Sequence, residues 1–558
     1  MNGGVAHEPH GAGLGGPPEG DGCGSEPHGA GLGGPPEGDR CGSEPHGAGV
    51  PLRAARWPAL VVIVAVIAAA LLFAGGKKVP TSGQAAVSAS SVGAVVAPVD
   101  AQSALWFCNG GTAVDSGFAD HRVVLINTSD APRAGVLTTY ASAAVNGKRA
   151  TPVRTPWTLA GGARADYRLA DLIGQSGYAS AAVEVDGGGV LVEHSVSGAL
   201  GSDRGPCSSR ASNTWFVPIG TTATVSDPPT ARELLVFFNP FPGDAVVDVA
   251  FSTDTGVRGS PELFKGLVVP GGSVLGVDLA GSGVAVAAEV AAAVTTRSGR
   301  VVVDRVQGFN DKTRRGLALS SGVGAAAPAW VFAAGQLTSA RQERVVVYNP
   351  NGGPVDVDVE VRPQDSTLAV EPFQLTVRAG QHSQVDLQGE KRLAALVAAS
   401  ADYSLVVRSV DGSPIVVERL VTVTPGSPGA GAASSTGAAV AATRAYSDVV
   451  DATDPSSHLA IVNPNRTSIA LVHLEVHAGG AVTTPTKYAS VELQPGGRLV
   501  VPTSELGSGT FTVVIVASAP VVSERELVGA SDRSIAAAVP DAASTSPLDL
   551  GELASLGN

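Results

Sequence analysis

The chain has 558 residues, with 37 lysines and arginines against 50 aspartates and glutamates and a formal net charge of −13. That length is too great for one hydrophobic core and asks for three to four domains. The acidic balance, with no clustered basic face, excludes nucleic acid as a partner, because phosphate binding needs concentrated Lys and Arg. Aromatics make up only 4%, so the cores must be built from Val, Leu, Ile and Ala, and Val packs well on a pleated sheet.

Residues 1–52 are a Gly/Pro-rich repeat tail. EPHGAGLGGPPEGDGCGS starts at Glu8 and returns at Glu26, with Arg40 where the first copy has Gly22, and a partial third copy starts at Glu44. Such a segment buries too little to offset its ordering entropy and is expected to be disordered. His10, Cys23, His28, Cys41 and His46 recur with it, but their spacing matches no zinc pattern. They read as residues copied along with a low-complexity repeat, and no metal or cofactor is assigned to the chain.

Residues 53–78 contain an uninterrupted apolar run, Trp57–Gly76, long enough to cross a bilayer as a helix. Arg53 and Arg56 flank one side and Lys77 and Lys78 the other, so the positive-inside rule nearly ties. A cleaved signal peptide would have a shorter apolar part and a small-residue cleavage site, not Lys77-Lys78. The strand-rich C-terminal part and its two cysteines place the N-terminus in the cytoplasm and the rest outside. The expected location is a single-pass plasma-membrane protein. Residues 79–104, small and weakly polar, read as a flexible linker.

A pattern then returns four times. Each copy opens on an aromatic residue, Trp106, Trp215, Trp330 or Tyr446. A hydrophobic strand comes next and ends in Asn: Asn127, Asn239-Pro240, Asn349-Pro350 and Asn463-Pro464. Asn starts a turn through its side chain, and Pro removes a ladder donor, so this motif is structural punctuation. Alternation such as Val355–Val361 (VDVDVEV) marks a half-buried strand. Gly-containing turns (Ala160-Gly161-Gly162, Pro270-Gly271-Gly272, Ala379-Gly380-Gln381, Pro495-Gly496-Gly497) and a closing hairpin complete each copy.

The fold class is therefore all-β: tandem immunoglobulin-like β-sandwich modules after one transmembrane helix and a disordered tail. The modules are 105–212, 213–326, 327–424 and 443–541. Residues 425–442 are expected to be a flexible hinge, and 542–558 a disordered tail, so that the modules form an elongated array with one bend. Cys108 and Cys207 border the first module and are expected to form a disulfide in an oxidising compartment.

Each returning strand ends in an acid followed by a base: Glu193-His194, Asp304-Arg305, Glu418-Arg419 and Glu524-Arg525. Adjacent strand residues point to opposite faces. A pair present in every copy therefore reads as a cross-strand ion pair or an edge guard, not as four active sites. His473, Glu475 and His477 share a strand face that reads as solvated. Asp356, Asp358 and Glu360 read the same way. No nucleophile elbow, Walker loop, HExxH or CxxC is present in the modules.

The single N-terminal helix, the Trp106-Phe107-Cys108 opening, the FNP/YNP/VNP strand ends and the VVxER endings resemble a family of actinobacterial membrane-anchored exported proteins, domain of unknown function 5719. The resemblance covers roughly residues 100–540. Asn109 stands where that family has Pro after the opening Cys. The resemblance implies a cell-envelope setting and no activity. The Ala/Gly/Val bias, that of GC-rich coding DNA, agrees with an actinobacterial source. The function expected is a non-catalytic structural or binding protein of the envelope, in contact with other envelope proteins. A cell-wall glycan-binding array is the alternative.

Overall fold

The computed structural model describes residues 92–142, 150–222, 231–256, 258–450 and 454–550, with the backbone alone for Ser366. The chain divides into two units, 1–81 and 82–558, and every described residue lies in the second. The tail 1–52, the apolar segment 53–78 and the first part of the linker lie outside the described residues. Among the described residues no helix is long and apolar enough to cross a membrane.

Strands dominate, as the Val-rich alternation requires. They fall into four successive modules; the second and third each hold two separate antiparallel sheets, while the strands of the first and fourth join into one eight-stranded and one ten-stranded sheet. The second module shows the plan. One sheet orders Ser273–Asp278, Ala231–Asn239, Val302–Asn310 and Arg315–Ser321; the other pairs Arg258–Gly259 and Leu267–Val269 with Ala245–Thr253, then Val290–Ser298 and Thr214–Val217. Four kinds of strand recur in every module. The opening strands are Ser103–Ala113, Thr214–Val217, Ala329–Gln336 and Val440–Val449. The motif strands are Asp120–Asn127, Ala231–Asn239, Arg341–Tyr348 and His458–Val462. The return strands are Val190–Gly198, Val302–Asn310, Val416–Val423 and the second half of Phe511–Val528. The inner strands, each at the edge of its sheet beside a return strand, are Gly201–Pro206, Arg315–Ser321, Gly431–Ser435 and Arg533–Ala537.

The opening aromatics Trp106, Trp215, Trp330 and Tyr446 are fully buried. Trp215 and Trp330 each donate their indole N–H to a main-chain carbonyl, that of Val301 at 2.8 Å and Ile415 at 2.9 Å, as a buried indole needs. On Val355–Pro363 the valines are buried and Asp356 is exposed, but Asp358 is not the solvent-facing residue expected. It lies opposite Arg408 in register and is only 3% exposed.

The four motif asparagines are buried and act alike. Asn349 donates through Nδ2 to the carbonyls of Gly353 and Val377, each at 2.8 Å, and its Oδ1 accepts the Asn351 N–H at 2.8 Å. Asn127 bonds Ala131, Leu159 and Ser129 in the same way, Asn239 bonds Gly243, Val269 and Phe241, and Asn463 bonds Ser468, Leu493 and Asn465. One amide thus closes the turn behind Asn and fastens it to the strand that enters the glycine turn. Pro240, Pro350 and Pro464 stand where the strand stops and have no N–H to leave unpaired.

Cys108 and Cys207 form a disulfide with a Cα–Cα distance of 4.7 Å. It reinforces a bridge that the other modules make with backbone alone. Phe107 pairs with Ser208 here, Phe216 with Val323 and Val331 with Ala438. The crosslink spans 99 residues, which on the chain-entropy view contributes about 4–5 kcal/mol.

Three segments expected to be loose are packed. Within 425–442, Gly431–Ser435 is a fully buried inner strand, so this stretch is not a hinge. Small residues were needed there for close packing, not for slack. In the linker, Val96 is buried and bridges the far end of the chain: its N–H reaches the Pro540 carbonyl and its carbonyl takes the Ala542 N–H, both at 2.9 Å. In the tail, Thr545–Pro547 pairs with Val440–Ala442 and Leu550 is buried.

Candidate functional site

The acid–base dipeptides of the return strands are the chemical signature common to all modules, and each joins two modules. Arg305 Nη2 meets Glu418 at 2.7 Å, and Arg419 Nη2 meets Glu524 at 2.9 Å. Arg525 holds both oxygens of Glu193, at 2.6 and 2.7 Å. His194 approaches Asp304 at 4.0 Å. All eight side chains are at most 3% exposed. The base of each module faces the acid of the next, and the base of the fourth faces the acid of the first. The cycle 1–2–3–4–1 is closed, and each inner strand packs against the inner strands of both neighbouring modules. This corrects the cross-strand and edge-guard reading, and it rules out an elongated array for the described unit.

The reason for a charged pair at this place lies in the opening strands. That of the third module is irregular between Phe332 and Gly335, so Ala334 has no ladder partner. A buried peptide group without a partner is costly. Here the Ala334 N–H donates to Glu524 at 2.9 Å, and its carbonyl accepts from Arg419 Nη1 at 2.8 Å. In the second module, Ile219 just past the strand end makes the same two bonds, to Glu418 at 3.1 Å and from Arg305 at 2.7 Å. An acid and a base from neighbouring modules thus clamp the N–H and carbonyl of one residue, and those groups help to offset the desolvation of both. In the first module the strand is irregular between Cys108 and Gly111. There Asn109 reaches across to module 2, with Nδ2 on the carbonyls of Val236 at 2.8 Å and Val302 at 3.2 Å.

Six positions before each motif Asn lies a second buried polar group: His121, Glu233, Glu343 and Ser457. Burial alone would raise the Glu343 carboxyl, but Arg341 and Arg419 outweigh it and hold it below the ordinary range. Tyr403 and Arg341 also hydrogen-bond it. Glu233 lacks that arginine pair. Burial pushes it up to about 8, although the Thr221 N–H donates to it at 2.7 Å.

The contact between modules 1 and 2 differs from the other three. His121 Nε2 and His194 Nδ1 are 3.1 Å apart, and His121 Nδ1 is 2.8 Å from the Ala179 carbonyl. Burial lowers His121 to about 4, and burial followed by His121 itself lowers His194 well below its ordinary value. Burial raises Asp304 to about 8. Burial thus disfavours charge on both His194 and Asp304, which approach each other at 4.0 Å.

Among the described residues no group of three or more His, Cys, Asp or Glu could hold a metal. His473 and His477 each lie 3.5 Å from Glu475, on a partly exposed strand face.

No family model matches the chain, and no curated protein matches it. Two solved structures are similar in part. One, Thermotoga maritima 1070, is 16% identical over 20% of this chain and 94% of its own, with a TM-score of 0.18. The other, a tetra-tandem repeat in the extending region of a large adhesion protein, is 12% identical over 80% of this chain and 100% of its own, with a TM-score of 0.09.

The geometry predicts two outcomes. Glu524→Gln leaves Arg419 with Glu343 as its remaining carboxylate and should cost about 3–5 kcal/mol in urea unfolding; the pair Arg419→Met/Glu524→Leu also strands the buried Ala334 N–H and carbonyl and should cost no less. A double variant close to wild-type stability would contradict the clamp on Ala334. The second outcome is a pH slope. The Asp304 carboxyl titrates higher folded than unfolded, so its penalty grows as pH rises from about 4 and is complete above about 8. Asp304→Asn should remove a slope of about 1.4 kcal/mol per pH unit between about pH 5 and 8. The histidines act oppositely: lowered on folding, they cost stability as pH falls from 6.5 through about 4. That acid limb should persist in the Asn variant.

Proposed function

We propose that this chain is a membrane-anchored, extracytoplasmic, non-catalytic structural and binding protein of a bacterial cell envelope. In this reading the 53–78 segment is the anchor, and four immunoglobulin-like sandwiches form the exported part. The observation that carries it is the use of the repeated acid–base pairs. They are the groups a catalytic reading would need, and each pair is buried between two modules, with Arg305–Glu418 and Arg419–Glu524 also holding a main-chain N–H and carbonyl. The Cys108–Cys207 disulfide supports an oxidising, exported setting.

The glycan-binding alternative must do without tryptophan stacking among the described residues: Trp106, Trp157, Trp215 and Trp330 are all buried, so none offers an exposed face to a sugar ring.

The test is labelling of intact spheroplasts with a membrane-impermeant amine reagent. Lys265 and Lys487 have side chains 52% and 67% exposed. Both should be labelled in protein that sediments with membranes. Labelling only after permeabilisation, or recovery in the soluble fraction, would overturn the proposal.

A further inference from the structure

Modules 1 and 4 meet without a direct peptide link. A crevice of about 390 Å3 opens there, between the turn Ala160–Arg164 of module 1 and Asp448, His477–Gly480 and Thr510–Thr512 of module 4. That volume falls in the range of small-ligand sites. Its floor is built for close approach of two backbones. Gly162 and Gly480 both have positive φ, +68° and +84°, and a Cβ on Gly162 would stand 3.0 Å from the Gly480 Cα. Side chains are excluded there, and the space above stays open.

Two arginines of module 1 meet one carboxylate of module 4 at this seam. Arg164 donates through Nη1 to both oxygens of Asp448, each at 2.7 Å, and Arg204 reaches the same carboxylate at 3.4 Å. Behind them Arg525 is matched by Glu193. Asp203, also in this seam, accepts two backbone N–H groups, from Arg204 and Leu319, each at 2.7 Å, and burial pushes its carboxyl well above the usual range. Arg164, Arg204 and Arg525 thus meet Asp448 and Glu193, and Asp532 lies on Ser202 across the same seam. Between modules 3 and 4, Arg341, Arg419 and Arg533 face Glu343, Glu524 and Glu526. Between 2 and 3, Arg305 faces Glu418. Between 1 and 2, His194 faces Asp304, and Arg315 reaches the Ala199 carbonyl.

Of the two arginines on Asp448, Arg164 lines the crevice. Its side chain is 24% exposed, and among the described residues its Nε and Nη2 donate to no protein atom. An arginine held in place by a buried carboxylate, with one edge of its fork free, is arranged to take an oxyanion.

We propose that the crevice between modules 1 and 4 binds a sugar-sized ligand carrying one oxyanion, a carboxylate or a phosphate, with Arg164 as the charged contact. The inference rests on the binding half of the function proposed above and names its ligand class. A ligand there touches the first and last modules at once, so binding strengthens the closure of the cycle.

The test is calorimetric titration of the full chain with glucuronate, glucose 6-phosphate and glucose. Saturable binding of glucuronate or of glucose 6-phosphate, with none of glucose, is expected, and the stronger of the two identifies the carboxylate or the phosphate as the source. Arg164→Gln should weaken that binding at least tenfold, while Arg122→Gln, an exposed arginine of the same module, should leave it unchanged. Ala478→Trp, at an exposed wall position, should block the crevice with Arg164 intact, which keeps the proposal testable if Arg164→Gln fails to fold. Absence of saturable anion binding, equal binding of glucose, or full binding by Ala478→Trp would overturn the inference. None of those results alters the spheroplast labelling, so the two readings fail separately.

Discussion

The described unit depends on main-chain groups that their own sheets cannot satisfy. Where an opening strand breaks its ladder, at Ala334, or runs out, at Ile219, a buried N–H and carbonyl are left over. Their partners are a carboxylate from the following module and a guanidinium from the same one. Neither module can complete this arrangement alone. Modules 2 and 3 are each thus short of one residue's main-chain hydrogen bonds until the next module docks. The acid–base pairs run in the same direction through all four modules, and the fourth base finds the first acid.

Closure has two further supports. The segment from Val92 to Val96 leads into module 1, yet Val92 packs with the core of module 3 and Val96 pairs with the last residues of module 4. The disulfide fixes the opening strand of module 1 beside the start of the connection to module 2. The module that begins the cycle is also the one whose contact with the second relies on neutral histidines and Asn109 in place of an arginine pair. Its covalent crosslink stands where charge does not.

Much of the architecture was legible from residues. The four Asn strand ends, the opening aromatics and the glycine turns gave an all-β array, and each does the local work that its chemistry implies. The disulfide was legible from cysteine position. The partner of the acid–base pair was not legible. VVERLV shows apolar residues on both sides of Glu418-Arg419, which signals burial of both charges, but period-two reasoning works within one sheet and carries no information on a neighbouring module. The same limit misplaced residues 425–442. Ala, Gly and Ser suit a flexible hinge and suit equally a strand squeezed between inner strands, and only the packed neighbours decide between them. Asp358 failed for a similar reason, since alternation predicts a face and not the arginine lying across from it.

The most direct measurement of closure is a distance between the first and last modules. Ser202 hydrogen-bonds Asp532 across their seam. In a chain whose tail cysteines Cys23 and Cys41 are replaced by Ser, Ser202→Cys with Asp532→Cys should be joined within one molecule by a short thiol cross-linker, at dilutions where chains do not meet. The cross-linked peptide should link residues 202 and 532 in nearly every chain. If the thiols remain free, or join only between molecules, the modules do not close and the account is wrong.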